Sequence, residues 1–229
     1  HYQSALRLIE EGDFDRAAVE FRNVFQNNGQ HREARARFAQ MLRDTGDIRG
    51  AYSQYLRLAE QFPDDAPSRI ALAEIAIAQQ SWEEARRHGE RALELAPDDP
   101  AIPVIRLNLS YTDAVEEEDE TARRQVADEA RALLENDPGN TLLQAILIDS
   151  ALRDGDLERA LAEIDASLAV EPGDRRLHDV RLAVLAQLER ADALEEQLRD
   201  MISRFPEDTE LSGTLLRFFV ARGESEKAR

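Results

Sequence analysis

With 229 residues, 42% of them hydrophobic and 33% charged, the chain can bury a real core beneath a large solvated surface, and this composition excludes a disordered polymer. Its formal charge of −18 works against phosphate backbones and anionic membranes, so nucleic acid is not an expected partner. The absence of cysteine excludes disulfides, thiolate metal sites and a cysteine nucleophile, and no run approaches the roughly 18 apolar residues of a membrane span, so direct membrane insertion is not expected.

Ala, Leu, Arg and Glu dominate and aromatics are only 6%, a usage that favours helix over sheet. The chain opens inside a helix, HYQSALRLIEEG, and a second helical run follows Gly12-Asp13, giving a unit over residues 1–31. Residues 32–65 repeat the pattern, with Gly46-Asp47 between the helices and Pro63 at the close. The next unit, 66–99, stops at Pro97, 34 residues after Pro63. A fourth unit, about 100–140, closes at Pro138 after a gap of 41. Its extra length is assigned to AVEEEDETAR, Ala114 to Arg123, as a longer turn with the second helix resuming near Thr121 or Ala122. The acids Glu116 to Glu120 read as a solvated loop tip, and they lack the D-x-D-x-D-G spacing of a calcium loop. Units 141–174 and 175–208 close at Pro172 and Pro206, at the 34-residue period again. A partial seventh, 209–229, holds the apolar helix TELSGTLLRFFVARG. Its Leu215, Leu216, Phe218 and Phe219 call for cover by a second helix, by a partner, or by self-association through 209–222. Both chain ends look trimmed.

Each recurring residue has a physical reason. Ala17, Ala51, Ala85 and Ala160 share one phase, met again at Ala228, where the helices of a pair approach closely. Gly12, Gly46, Gly155 and Gly223 stand five residues earlier and supply a left-handed helix cap. The unit between Ala160 and Ala228 departs, with Leu194 beside Ala193 and Glu189 at the glycine place. The prolines cannot continue a helix. In APDDP, Asp99 is expected to cap a helix whose first residue is Pro100; Asp65, before Ala66 and Pro67, is expected to do the same, as are Asp174 and Asp208.

A 34-residue helical period is the signature of the tetratricopeptide repeat, and the chain resembles that family throughout its length. The resemblance rests on Gly12-Asp13…Ala17…Phe21, on Gly46-Asp47…Ala51…Tyr55…Pro63, and on Gly155-Asp156…Ala160…Ile164…Pro172. In the first helices the family's Leu-Gly-x-x-Tyr is degraded to Leu72-Ala73 and Leu107-Asn108…Tyr111. The resemblance implies an all-α fold: an α-solenoid of six to seven stacked antiparallel helix pairs in a right-handed superhelix. It also implies a concave groove, lined by the first helices, that takes a partner peptide or helix. The groove phase points inward at Glu33, Ala36, Gln40 and Arg43, at Ile70, Glu74 and Ile77, at Ala145, Asp149 and Leu152, and at Arg176, Asp179 and Ala183. Chaperone-binding members hold a terminal carboxylate with Lys and Asn; here those places read Ala36 and Gln40, then Ile70 and Glu74, so an apolar or basic segment is the expected ligand.

The opening stretch is also similar to bacterial envelope repeat lipoproteins of the exopolysaccharide and protein-sorting type, through Tyr2, Ala5, Gly12, Asp13, Ala17, Phe21, Arg22 and Asn23. That likeness implies a periplasmic or membrane-anchored location through a segment before residue 1, against a cytoplasmic alternative.

No catalytic pattern is present. The four histidines, His1, His31, His88 and His178, share no i, i+4 spacing and read as surface or turn residues, so no metal or other cofactor is expected. The phosphate-loop, dinucleotide and G-x-S-x-G motifs are absent. Trp82 shares its phase with Phe14 and Ile48, which reads as a core position. The expected function is therefore a non-catalytic interaction scaffold. A repeat arm of a larger enzyme or regulator is the alternative, and a structural, self-associating solenoid is a third reading.

Overall fold

The computed structural model describes residues 1–224, and among them lie thirteen α-helices and no strand. The helices are α1 (Tyr2–Glu10), α2 (Phe14–Asn27), α3 (Arg32–Asp44), α4 (Ile48–Gln61), α5 (Ala66–Ala78), α6 (Trp82–Leu95) and α7 (Ala101–Glu116). They continue with α8 (Glu120–Leu134), α9 (Thr141–Arg153), α10 (Leu157–Val170), α11 (Arg175–Gln187), α12 (Ala191–Arg204) and α13 (Thr209–Ala221). The chain forms an all-α helical repeat fold in two compact units, one ending at Asp119 and the other beginning at Glu120.

Local chemistry sets the helix boundaries. The aspartates of Gly12-Asp13, Gly46-Asp47 and Gly155-Asp156 cap the second helices of their repeats: Asp13, Asp47 and Asp156 accept from the backbone N–H groups of Arg16, Gly50 and Arg159 at 3.2, 2.9 and 3.0 Å. The first helices are capped by His31, Asp65, Asn140, Asp174 and Asp208. Asp99 also accepts a backbone bond, from Ala101 at 2.9 Å, but Pro100 lies before the helix and α7 begins at Ala101, one residue later than the sequence implied. Gly12, Gly46, Gly155 and Gly223 all have positive φ, as the turn requires. Gln80, Glu118 and Glu189 hold the same left-handed conformation at φ 55 to 57°, a strain of about 1 kcal/mol each in place of glycine.

In the first unit α1 packs on α2, α3 on α4 and α5 on α6, while α2·α3, α4·α5 and α6·α7 join successive pairs. The first core gathers Ala5, Leu8, Phe21, Val24, Phe38 and Met41, with the Phe21 and Phe38 rings 5.1 Å apart. In the second unit α9 packs on α10 and α11 on α12, around Ile148, Leu161, Ile164, Val184 and Leu185. Ala17, Ala51, Ala85 and Ala160 are each fully buried, as their phase predicts. At the departing repeat Ala193 and Leu194 are only half-buried, and the alanine expected at 228 lies outside the described residues.

Three further expectations are corrected. The seven extra residues of the fourth repeat do not make a long acidic turn: α7 runs 16 residues to Glu116, α8 resumes at Glu120, and only residues 117–119 lie between. The phase of Phe14 and Trp82 is not core, since Phe14 is 41% exposed and Trp82 half-exposed at the start of a helix. His88 and His178 are not surface residues but are fully or nearly fully buried.

The two buried histidines belong to a polar clip that recurs with the repeat. The fourth residue of a first helix reaches back to a carbonyl of the preceding loop. Arg35 donates to Gly29 O at 2.6 Å, Gln144 to Pro138 O at 2.7 Å, and His178 Nε2 to Pro172 O at 2.9 Å. The same residue meets the second helix 19 positions on, as Arg35–Gln54, Arg69–His88 and His178–Gln197 at 2.8, 3.1 and 2.7 Å. These bonds tie a carbonyl of an exposed loop residue, Gly29, Pro138 or Pro172, to the helix that follows. A second device links neighbouring repeats. Arg32 lies over the Phe62 ring and bonds Asp65, and Arg175 lies over Phe205 and bonds Asp208 at 2.8 Å, so a cation anchored in one repeat holds the cap of the next.

Candidate functional site

In the first unit three first helices, α1, α3 and α5, bring candidate side chains onto one continuous face. Tyr2 of α1 stands with its ring 4.9 Å from that of His31, the cap of α3. Burial, then the nearby Glu33 carboxylate, raise the Tyr2 phenol above its ordinary pKa, with Arg37 opposing. Further along α3, Gln40 accepts a hydrogen bond from the Tyr55 hydroxyl at 3.1 Å and donates to Asp44 at 2.6 Å. Arg43 crosses to α5, where its Nη1 lies 2.8 Å from the Glu74 carboxylate. Tyr55 is also raised, by burial first; Asp44 and Glu74 add to this and Arg43 opposes it. The outcome is a half-exposed, mixed-charge stripe from Tyr2 past Glu33 and Gln40 to the Arg43–Glu74 pair.

Two residues expected on this face are not on it. Ile70 and Ile77 are only 9% and 3% exposed. Helix α5 packs on α4, α6 and α7 together, so nearly its whole circumference is covered and Ile70 through Ile77 is buried almost throughout, Glu74 being half-exposed. The sequence reading missed Tyr2, Arg37 and Asp44. Tyr2 was recognised only as part of an opening motif, and the contact of α1 with α3 that makes it part of the face is tertiary.

In the second unit the candidates lie on α9 and α11. Asp149 pairs with Arg153 at 2.5 Å, and Leu152 packs against the core of that unit. Arg176 is exposed, and Asp179 pairs with Arg175. The densest electrostatic feature there is Asp154, met by Arg123, Arg159 and Arg124 at 2.5, 2.8 and 3.1 Å. Their hydrogen bonds, Arg123's first, hold its carboxyl well below the usual carboxylate range. It borders a polar cavity of about 180 Å³ with Leu147 and Ser150. Every guanidinium around it already faces a carboxylate, so the feature is a knot between α8, α9 and α10.

Among the described residues no group of three or more His, Asp or Glu is placed to hold a metal ion, and no helix is long and apolar enough to cross a membrane. The face built by α1, α3 and α5 can offer hydrogen bonds, charge and modest apolar area to another chain.

The tetratricopeptide repeat family matches residues 8–67 and 42–102. Over residues 8–102 the chain is similar to tetratricopeptide repeats. A comparison with curated proteins returns no match. Among solved structures the chain is similar to a tetratricopeptide repeat protein from Parabacteroides merdae, with 13% identity, 95% of this chain and 82% of that one covered, and a TM-score of 0.64. It is similar to PilW, a widely conserved type IV pilus biogenesis factor, with 15% identity, coverage of 93% and 96%, and a TM-score of 0.62. It is also similar to pilF from Pseudomonas aeruginosa, with 14% identity, coverage of 93% and 94%, and a TM-score of 0.56. At such identities the likeness is one of fold, and it carries the helical-repeat architecture past residue 102. Tetratricopeptide repeats generally mediate protein–protein interaction.

Proposed function

We propose that the chain is a non-catalytic scaffold that holds a segment of a partner protein across the first helices of its repeats. The observation that carries this reading is the continuous stripe in the first unit, where Tyr2, Glu33, Gln40, Arg43 and Glu74 from three successive first helices are brought side by side. A run of half-exposed polar groups with a few apolar edges suits an extended or helical segment better than a small molecule, which needs enclosure. The net charge of −18 favours a basic or apolar segment. In the second unit Asp149 and Asp179, each paired with an arginine of its own helix, and Leu152 and Arg176 are the corresponding first-helix candidates.

The reading extends to bacterial envelope assembly or export. Its support is the likeness of the opening residues to envelope repeat lipoproteins, together with the likeness of fold to PilW. Affinity capture from the native host, with the parent beside a Glu74→Lys, Asp149→Lys variant, tests the scaffold. A partner held by the parent and lost by the variant is the expected result. A partner held equally by both places binding elsewhere and removes this face from the reading.

A further inference from the structure

Trp82 is the chain's single tryptophan, and it is half-exposed at the first position of α6. At the same phase Ile48 is packed against the core of its repeat. The half-exposed indole lines a shallow cavity of about 480 Å³. Glu83, Arg86, Arg87, Glu90 and Glu116 complete the lining.

The charges around the ring are unequal in availability. Arg86 is engaged by Asp113 at 2.7 Å and Arg87 by Glu84, so both cations are neutralised within the protein. Glu83, Glu90 and Glu116 are exposed and make no hydrogen bond or ion pair among the described residues. Glu90 and Glu116 act on Arg86 through space only, so three carboxylates without a hydrogen-bonded partner line the depression with the indole, all contributed by α6 and the end of α7. A cation over an indole face is attracted by the ring quadrupole, and adjacent carboxylates add Coulomb attraction without a new desolvated charge of their own. The depression is lined by α6 and the end of α7 and shares no residue with the α1–α3–α5 stripe.

We propose that Trp82, Glu83, Glu90 and Glu116 form a docking point for a lysine or arginine side chain on a basic segment of a partner protein.

Because Trp82 is the only indole, its fluorescence reports this place alone. The test titrates the intact chain with a six-residue peptide of alternating lysine and arginine at low and physiological salt, and repeats it with a Glu83→Gln, Glu90→Gln, Glu116→Gln variant. A second variant, Glu135→Gln, Glu171→Gln, Glu207→Gln, removes equal charge from exposed positions elsewhere. The expected result is a saturable emission change, weakened about tenfold or more in the first variant and about twofold or less in the second. Equal weakening in both variants would reduce the binding to general attraction by an acidic surface and overturn the proposal. A peptide that binds by calorimetry with no change at Trp82 would overturn it too. An emission change that grows with protein concentration before any peptide is added would assign the depression to a second copy of the chain.

Discussion

His88 shows how much a single buried residue can depend on its neighbours. Its ring is fully buried between Arg69 of α5, 3.1 Å from Nδ1, and Arg87 and Glu84 of its own helix. Burial pushes the imidazole down to about 4; Arg87 and Arg69 push the same way, and Glu84 opposes. An unfolded histidine titrates near 6.5, so between pH 6.5 and 4 the unfolded chain binds the extra proton and the folded chain does not. The contribution of neutral His88 is therefore fully present above pH 6.5 and is lost as pH falls towards 4. His88→Gln removes that titration and places the residue already found at the same phase in Gln54 and Gln197. Between pH 7 and 4.5 the parent is expected to lose about 2–3 kcal/mol more than the variant in urea unfolding. Parallel pH curves would show that His88 does not titrate against a buried site. The sequence did not disclose this clip, because the four residues at its origin are Arg35, Arg69, Gln144 and His178. They share a place and a hydrogen-bonding task but no identity, whereas the capping aspartates and turn glycines recur as the same letter and could be read directly.

At the scale of the helix, small residues mark where two axes come close. Ala51 and Ala160 were legible as such from the period alone, and both are fully buried. Gly89 was not, since no other repeat shares it. A Cβ built there meets Ile105 Cγ2 at 2.9 Å and Leu109 Cδ1 at 3.2 Å, so α6 and α7 touch at this point almost backbone to side chain. Gly89→Val adds helix propensity, yet its branched methyl groups have nowhere to go. Gly89→Val, Ala51→Leu and Ala160→Leu are each expected to destabilise the protein by about 1–3 kcal/mol in denaturant titration. An unchanged midpoint in Gly89→Val would mean that α7 can move aside freely. The fourth repeat limits what such patterns can deliver. Seven extra residues were visible, but their distribution was not: α7 and α8 absorb part as helix and the flanking loops take the rest. A helix can lengthen by a turn without altering its caps, so the sequence offered no local signal.

At the scale of the molecule, two kinds of electrostatics compete. The ion pairs that join neighbouring repeats, such as Arg43–Glu74, Arg131–Glu163 and Arg175–Asp208, are contacts of 2.8 Å. They are partly exposed, and each is worth at most about 1 kcal/mol. The net charge of −18 acts the other way and over a longer range, since like charges on successive repeats repel wherever the field is unscreened. The screening length falls from about 30 Å at 0.01 M to about 8 Å at 0.15 M salt, so added salt suppresses the long-range repulsion far more than contacts within 3 Å. Raising sodium chloride from 10 to 150 mM at pH 7 is therefore expected to raise the midpoint of thermal unfolding, followed by the helical circular dichroism signal, by a few degrees. The mutual repulsion was legible in the composition; the pairing that offsets it was not, because partners such as Arg131 and Glu163 lie a full repeat apart. A midpoint that falls with salt would show that these inter-repeat pairs, and not the excess of acid, govern the stability of the array.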